Sequence, residues 1–288
     1  MLSFVLLSAL GAVQPAAAAP LNRVVTVAVY TKKLEAVADL KPEEVVVSEA
    51  GKPCKVLAVE RDARPLEVAI VLDSGGTVAA AYRSDLVPAV VSFWKSLPAG
   101  TKFALWSTAP AKIMDFEGDA EAADAKLRSI AAAGGNYGFD SMIDACKELG
   151  RRGAPRRAIV YAGSGGLQAS RTGTSALMMT IGEVRATPMI ALVLPSARGS
   201  FGGGPSADAV QSWDVQGYFG ALAKSYRGVY VEALSTLAVA QWLRQFSADL
   251  NGQYRVRFES TGAPPQDLKV EVKRKDTKMR MGWAADTM

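Results

Sequence analysis

Residues Leu66 to Thr77 read LEVAIVLDSGGT. Val68 to Leu72 is an unbroken apolar run, the pattern of a strand buried on both faces of a parallel sheet. The run stops at Asp73, and the small or polar residues Ser74, Gly75, Gly76 and Thr77 follow as a turn. Beyond the turn, Leu86, Val90, Phe93 and Leu97 recur at helical spacing. Strand, turn and helix in this order are the unit of a doubly wound α/β fold.

The same grammar continues toward the C terminus. Lys102 to Thr108 and Ala111 to Phe116 read as two strands around a short turn. Asp119 is placed to cap a helix bearing Ala123, Leu127 and Ile130. Another helix is predicted from about Phe139 to Leu149, and a third around Leu177, Ile181 and Val184. Arg157 to Ala162 and Pro188 to Leu194 are further buried strands. Ser196 to Asp214, rich in Gly, Ser and Pro, is predicted to be an exposed loop. A short helix, a strand near Gly228 to Glu232 and a helix with Val239, Leu243, Phe246 and Leu250 complete the series. The prediction is a three-layer, Rossmann-like α/β domain with a mostly parallel sheet over residues 64–251.

The flanks read differently. Within residues 20–63, Val24 to Tyr30, Glu44 to Ser48 and Lys55 to Val59 are short β-branched stretches around a turn at Ala50 to Pro53. Within residues 252–288, Tyr254, Val256 and Phe258 alternate with polar residues, as do Leu268, Val270 and Val272. These two strands, joined through Pro264 and Pro265, are expected to form an antiparallel hairpin. Each flank leaves an apolar face uncovered. They are expected to pack together as an accessory β module into which the α/β domain is inserted.

Composition bounds the chemistry. The 288 residues are 49% apolar and 21% charged, enough for a large core. There is no histidine, which excludes the usual Ser-His-Asp and Cys-His systems and His-ligated zinc. Two cysteines, Cys54 and Cys146, allow one disulfide or two separate thiols, and no four-cysteine metal site. The net charge of +5 does not demand nucleic acid. Residues 1–19, MLSFVLLSALGAVQPAAAA, have the apolar run and small-residue end of a secretory signal peptide, though no Lys or Arg precedes the run. Export to the periplasm or the cell exterior is the expectation, with no transmembrane segment in the mature chain.

Ligands of open α/β sheets bind beyond the carboxyl ends of the strands. Three such ends stand out: Leu72-Asp73-Ser74-Gly75-Gly76-Thr77, Gly134-Gly135-Asn136-Tyr137-Gly138 and Tyr161-Ala162-Gly163-Ser164-Gly165-Gly166. Their order and spacing resemble the von Willebrand factor type A (VWA) domain. The flanking stretches DLKPEEVVVSEAGKPCKV and ADLNGQYRVRFES sharpen this toward the bacterial VWFA-related family of acidobacterial type. The resemblance implies a metal-ion-dependent adhesion site of pattern D-x-S-x-S, a Thr on a later loop and an Asp after a third strand. Such a site gives Mg²⁺ its oxygen ligands and leaves one position for a partner's carboxylate.

This chain departs from that pattern. Asp73 is the first Asp, and Thr77 fills the second Ser position with a hydroxyl. Gly75 stands where the first Ser would be, Asn136 where the Thr would be, and Ser164 where the last Asp would be. Asp73, Thr77 and Asn136 remain as candidate metal ligands at a degenerate site with weak or absent Mg²⁺ binding. The resemblance therefore implies a non-catalytic binding module whose face contains Asp73, Ser74, Thr77, Asn136 and Ser164, with a protein partner. The alternatives are Mg²⁺-dependent adhesion through a rebuilt site, and a serine hydrolase using Ser164, since Ala162 to Gly166 approaches the G-x-S-x-G elbow. Asp73 could also be purely structural, accepting backbone N–H bonds in its loop.

Other signals read as follows. Gly199 to Gly204 lacks the Lys-Ser/Thr of a phosphate loop. Arg151, Arg152, Arg156 and Arg157, and the C-terminal basic residues from Lys269 to Arg280, suit either an anionic partner or a solvated face. Trp94 and Trp106 fall in core elements, whereas Trp213, in the expected loop, is a candidate recognition contact.

Overall fold

The computed structural model describes residues 21–109, 111–116, 119–166, 168–194 and 207–286. The stretch 1–19, expected to be a signal peptide, and residues 196–206 of the expected loop lie outside them.

The α/β part is built on β5 (Leu66–Leu72), β6 (Lys102–Ser107), β7 (Ala111–Met114), β8 (Arg156–Ser164), β9 (Thr187–Val193) and β10 (Val229–Ala233). They form one sheet in the order β10-β9-β8-β5-β6-β7. All neighbours are parallel except β7, which runs antiparallel at one edge. Every residue of β5 is buried, as the unbroken apolar run requires.

Alternation sorts the side chains of each strand between two cores. Val68, Ile70 and Leu72 of β5 point to one face. There they meet a helix that runs from α1 (Ala79–Ala81) through a π turn (Tyr82–Leu86) into α2 (Val87–Lys95). Joining them on this face are α3 (Ala120–Ser129) and α7 (Thr236–Asn251). Ala69 and Val71 point to the other face, covered by α4 (Gly138–Arg152), α5 (Thr174–Val184) and α6 (Ala207–Ser225). Each fully buried Leu, Ile, Val or Phe contributes about 1.5–3 kcal/mol. Asp119 caps α3, its Oδ1 accepting from the Ala122 N–H at 2.7 Å.

Two smaller antiparallel sheets make a sandwich. One has the order β13-β1-β11-β4, from β1 (Leu21–Thr31), β4 (Val56–Arg61), β11 (Gln253–Ser260) and β13 (Thr277–Asp286). The other, β12-β2-β3, comprises β2 (Val45–Glu49), β3 (Lys52–Cys54) and β12 (Leu268–Val272). Val25, Val27, Val29, Val47, Val256, Phe258 and Val270 fill the space between them. Arg156 ties the sandwich to the α/β sheet. Its guanidinium donates to Gln253 Oε1 at 2.9 Å, Asp62 O at 2.8 Å and Leu250 O at 2.6 Å.

Several expectations are corrected. The strands around Val256 and Val270 are not a hairpin: β11 pairs with β1 and β4, whereas β12 crosses to the other sheet and pairs with β2. Alternation marks a half-buried strand but is the same whichever sheet receives it. The basic stretch after Val272 contains a further strand, β13, whose core-facing Met279 and Met281 are masked by flanking charges. Residues from Ala207 onward are helical, so Trp213 lies in α6 and not in a loop. Arg156 is not a solvated cation but a buried, fully engaged one. Cys54 and Cys146 are both free thiols, and burial pushes the Cys146 thiol well up.

Candidate functional site at the strand carboxyl ends

The loops after β5 and β8 and the loop entering α4 meet at one crest of the sheet. The Asp73 N–H donates to Ala162 O at 2.9 Å, the Gly76 N–H to Gly134 O at 2.9 Å, and the Ala169 N–H to Asn136 O at 2.7 Å. Asp73, Ser74, Asn136 and Ser164 are all buried, and Thr77 is exposed beside them.

Asp73 is the hub and is wholly inaccessible. Its Oδ1 accepts from the Gly75 N–H at 2.8 Å and from the Thr108 hydroxyl at 3.1 Å. Its Oδ2 accepts from the Ser164 N–H at 2.8 Å and the Ser164 hydroxyl at 2.7 Å. A carboxylate offers about four lone-pair positions, so the chain's own donors use its capacity. Ser74 is held by its N–H donating to Thr108 Oγ1 at 3.0 Å.

Asn136 is committed in the same way. Its Oδ1 accepts from the Gly138 N–H at 2.7 Å, and its Nδ2 donates to the Tyr161 hydroxyl at 2.8 Å. The Tyr161 hydroxyl in turn donates to Ser164 O at 2.7 Å. Burial, with the Asp73 charge adding to it, raises the Tyr161 phenol far above its ordinary range. It stays a neutral donor.

Glycine allows this approach of loops. A Cβ on Gly163 would lie 2.0 Å from the Asp73 Cβ, so strand β8 can pass Asp73 only with hydrogen at that position. A Cβ on Gly75 would lie 3.1 Å from Asp73 Oδ1 and 3.8 Å from the Asn136 Cβ. That is where a serine of the adhesion pattern would present its hydroxyl, and here nothing extends into it.

Sequence reasoning brought Asp73, Ser74, Thr77, Asn136 and Ser164 together but missed Thr108 and Tyr161. Thr108 sits just past the carboxyl end of β6, the strand paired with β5, and that fourth strand end was the overlooked signal. Tyr161 is enclosed in an apolar run and reads as core. Among the described residues no group of three or more His, Cys, Asp or Glu could hold a metal.

No protein-family model matches the sequence, and no curated protein matches it. Solved structures do resemble the fold. Proximal thread matrix protein 1 from the mussel byssus aligns with a TM-score of 0.51 at 11% identity, over 70% of this chain and 51% of that one. The chain thus spans about half the length of the byssus protein. A von Willebrand factor type A protein from Catenulispora acidiphila aligns over 93% of this chain and 72% of that one, at 11% identity and a TM-score of 0.47. The described residues have a Rossmann-like α/β fold with a mostly parallel six-stranded sheet flanked by helices, of the kind the VWA resemblance implies. The pilus adhesin SpaC from Lactobacillus rhamnosus GG also aligns, over 90% of this chain and 43% of that one, at 10% identity and a TM-score of 0.48. At such identities the likeness is one of architecture. At the crest of this sheet the Asp73 carboxylate is already met by four hydrogen-bond donors.

Proposed function

We propose that this chain is an exported, non-catalytic VWA module that binds a protein partner through the crest around Asp73, Ser74, Thr77, Asn136 and Ser164 without a metal ion. The observation that carries the reading is the saturation of Asp73. A Mg²⁺ site presents oxygen acceptors to the ion, whereas this carboxylate faces N–H and O–H donors from Gly75, Thr108 and Ser164. Metal entry would have to break those bonds and, among the described residues, would find no group of three or more His, Cys, Asp or Glu to share the charge. In this reading Asp73, Ser74, Asn136 and Ser164 shape the crest, and exposed Thr77 contacts the partner.

Exposed apolar side chains favour a protein as that partner. Leu234 follows the carboxyl end of β10, and Leu237 lies in the first turn of α7; they are 85% and 72% exposed. They share the crest with Asp73, three strands away, a distance of about 14 Å at the usual strand spacing. Large exposed apolar groups beside a polar rim are a mark of interaction surfaces.

A hydrolase is disfavoured by the state of Ser164. Its hydroxyl is buried and donates to Asp73, and no histidine exists to take its proton.

The test is calorimetric titration of the mature protein with Mg²⁺ and Mn²⁺, alongside photo-crosslinking from position 77 in cells. No saturable metal binding, and a crosslinked protein that persists in EDTA, are expected. Micromolar metal binding that is lost in Asp73→Ala would replace this reading with metal-dependent adhesion through Asp73, Thr77 and Asn136. Recovery of the protein from the cytoplasm with residues 1–19 intact would remove export.

A further inference from the structure

At the other end of the α/β sheet a half-open cavity of about 470 Å³ lies between the strand amino ends and the outer face of the sandwich. Its walls come from the starts of β5, β8 and β9 and from β1, β11 and β13. That volume is in the range of small-molecule sites, about 300–1,000 Å³.

Its lining is overwhelmingly cationic: Arg64, Arg156, Arg157, Arg185, Arg255 and Arg280, against the single carboxylate of Asp62. The available acids are already committed. Asp62 accepts from Arg64 Nε at 2.8 Å and Nη2 at 2.7 Å. Asp249, outside the lining, accepts from Arg280 Nε at 2.7 Å and Nη2 at 2.5 Å. Arg156 spends its donors on Gln253 and on backbone carbonyls. Arg157, Arg185 and Arg255 have no ion pair among the described residues. Glu67, paired in register with Arg157, is bonded to Arg152 instead. Burial lowers the hold of Arg157 on its proton; the Glu67 charge opposes this and the Arg185 charge adds to it.

Two donors on this lining are buried with no acceptor: Arg255 Nε and the Trp283 indole Nε1. Orphaned buried donors are costly and rare in native proteins. One of the cations is also held against its backbone preference. Arg185 closes α5 with φ 54° and ψ 36°, a left-handed conformation that glycine takes without cost. A guanidinium placed at that point, at the expense of local strain, fits a role for its charge.

We propose that this cavity binds a small organic anion, whose carboxylate or phosphate oxygens meet Arg157, Arg185, Arg255 and the Trp283 N–H. A guanidinium fork matches two such oxygens at once. Val24, Leu66 and Leu250 provide apolar wall for the body of the ligand, and the Trp283 ring, tilted 34° against Tyr226 with centroids 5.9 Å apart, supplies a flat surface. Gly282 keeps the floor open: a Cβ there would lie 3.3 Å from Thr26 O. The site is separate from the Asp73 crest and does not depend on its reading, since Leu66 begins β5 whereas Asp73 follows its end.

Phenyl phosphate, inorganic phosphate and benzoate are the probes, read by calorimetry and by tryptophan fluorescence of the full chain. Saturable binding of at least one organic probe is expected, tighter than that of inorganic phosphate and weakened by salt. Preference for phenyl phosphate or for benzoate names the charged group. The fluorescence change should vanish in Trp283→Phe. Arg255→Gln and Arg185→Gly should each weaken binding by about tenfold or more, roughly the loss of one charge-assisted contact. Arg185→Gly relieves the left-handed strain and should melt no lower than wild type, so its loss of binding cannot be ascribed to unfolding. Arg128→Gln, at an exposed position of α3, removes the same charge elsewhere and should leave binding unchanged. The proposal is overturned if none of the three probes saturates by about 1 mM, or if Arg128→Gln weakens binding as much as Arg185→Gly.

Discussion

Ser164 makes two hydrogen bonds to one oxygen of Asp73: its N–H lies 2.8 Å and its hydroxyl 2.7 Å from Oδ2. The third-strand residue that would add a negative charge in an adhesion site is here a donor that spends the first one. The pair joins the ends of β5 and β8 as a latch.

If the latch is structural, its removal should be read in stability. Asp73→Ala leaves four buried donors without an acceptor and is expected to cost about 3–5 kcal/mol in urea unfolding. Ser164→Ala removes one of the two donors on Oδ2 and should cost about 1–2 kcal/mol. Near-zero loss in Asp73→Ala would mean the carboxylate is kept for something other than packing.

Gly163 tests the close approach independently. An alanine there would place its methyl 2.0 Å from the Asp73 Cβ, a separation no side chain tolerates. Gly163→Ala should lose about 3 kcal/mol or more, or fail to accumulate as folded protein. Circular dichroism melting would show a wild-type transition if the strands can instead part cheaply.

The missing oxygens can be restored. Wild type should melt at the same temperature in EDTA and in excess Mg²⁺. In the triple variant Gly75→Ser, Asn136→Thr, Ser164→Asp, the hydroxyl and carboxylate oxygens return around Asp73, and Mg²⁺ should raise the melting temperature. A wild-type melt that rises with Mg²⁺ would contradict metal independence.

The pH profile has a definite shape. With no histidine, no side chain of ordinary pKa titrates between about pH 5.5 and 8, and stability should be flat there. In acid it should fall. The hydrogen bond from the Arg274 guanidinium holds the Glu44 carboxyl at about 2, against an ordinary 4.5. A group whose folded pKa lies below its unfolded value stabilises above the unfolded value, and that stabilisation is lost as pH falls through the folded one. The Glu44 contribution therefore fades between about pH 4.5 and 2. Asp62 acts in the same direction: burial pushes it up, but the hydrogen bond and charge of Arg64 bring it below its ordinary 3.8. Melting temperatures from pH 8 to 2 would show this, with a shallower acid slope in Arg274→Met. A transition centred near pH 6.5 would need another cause.

Much of the fold could be read from Val68 to Leu72, Arg157 to Ala162 and Pro188 to Leu194. Strands buried on both faces leave no choice but a sheet with helices on either side, as β5, β8 and β9 show. The sandwich was harder. Tyr254, Val256 and Phe258 declare a half-buried strand but carry no mark of which sheet receives it, and β13 hides its methionines among charges. At the crest, residue type located Asp73 and Ser164 at the carboxyl ends of β5 and β8; Asn136, read as lying at a third strand end, is in the loop between α3 and α4. Residue type could not tell that Asp73 is already satisfied. That depends on where donors from Thr108 and Ser164 arrive, and their distances from Asp73 along the chain leave no local trace.

β1, the first described strand, lies between β11 and β13 and takes both its neighbours from the last stretch of the polypeptide. During synthesis its two hydrogen-bonding edges therefore wait for residues 253–286. The sandwich cannot close on a nascent chain, and early compaction falls to the α/β segment alone. Pairs as distant along the chain as Leu21 and Ser260 make this closure slow compared with the local strand-helix units of the α/β segment, so the sandwich is the late-forming part of the molecule.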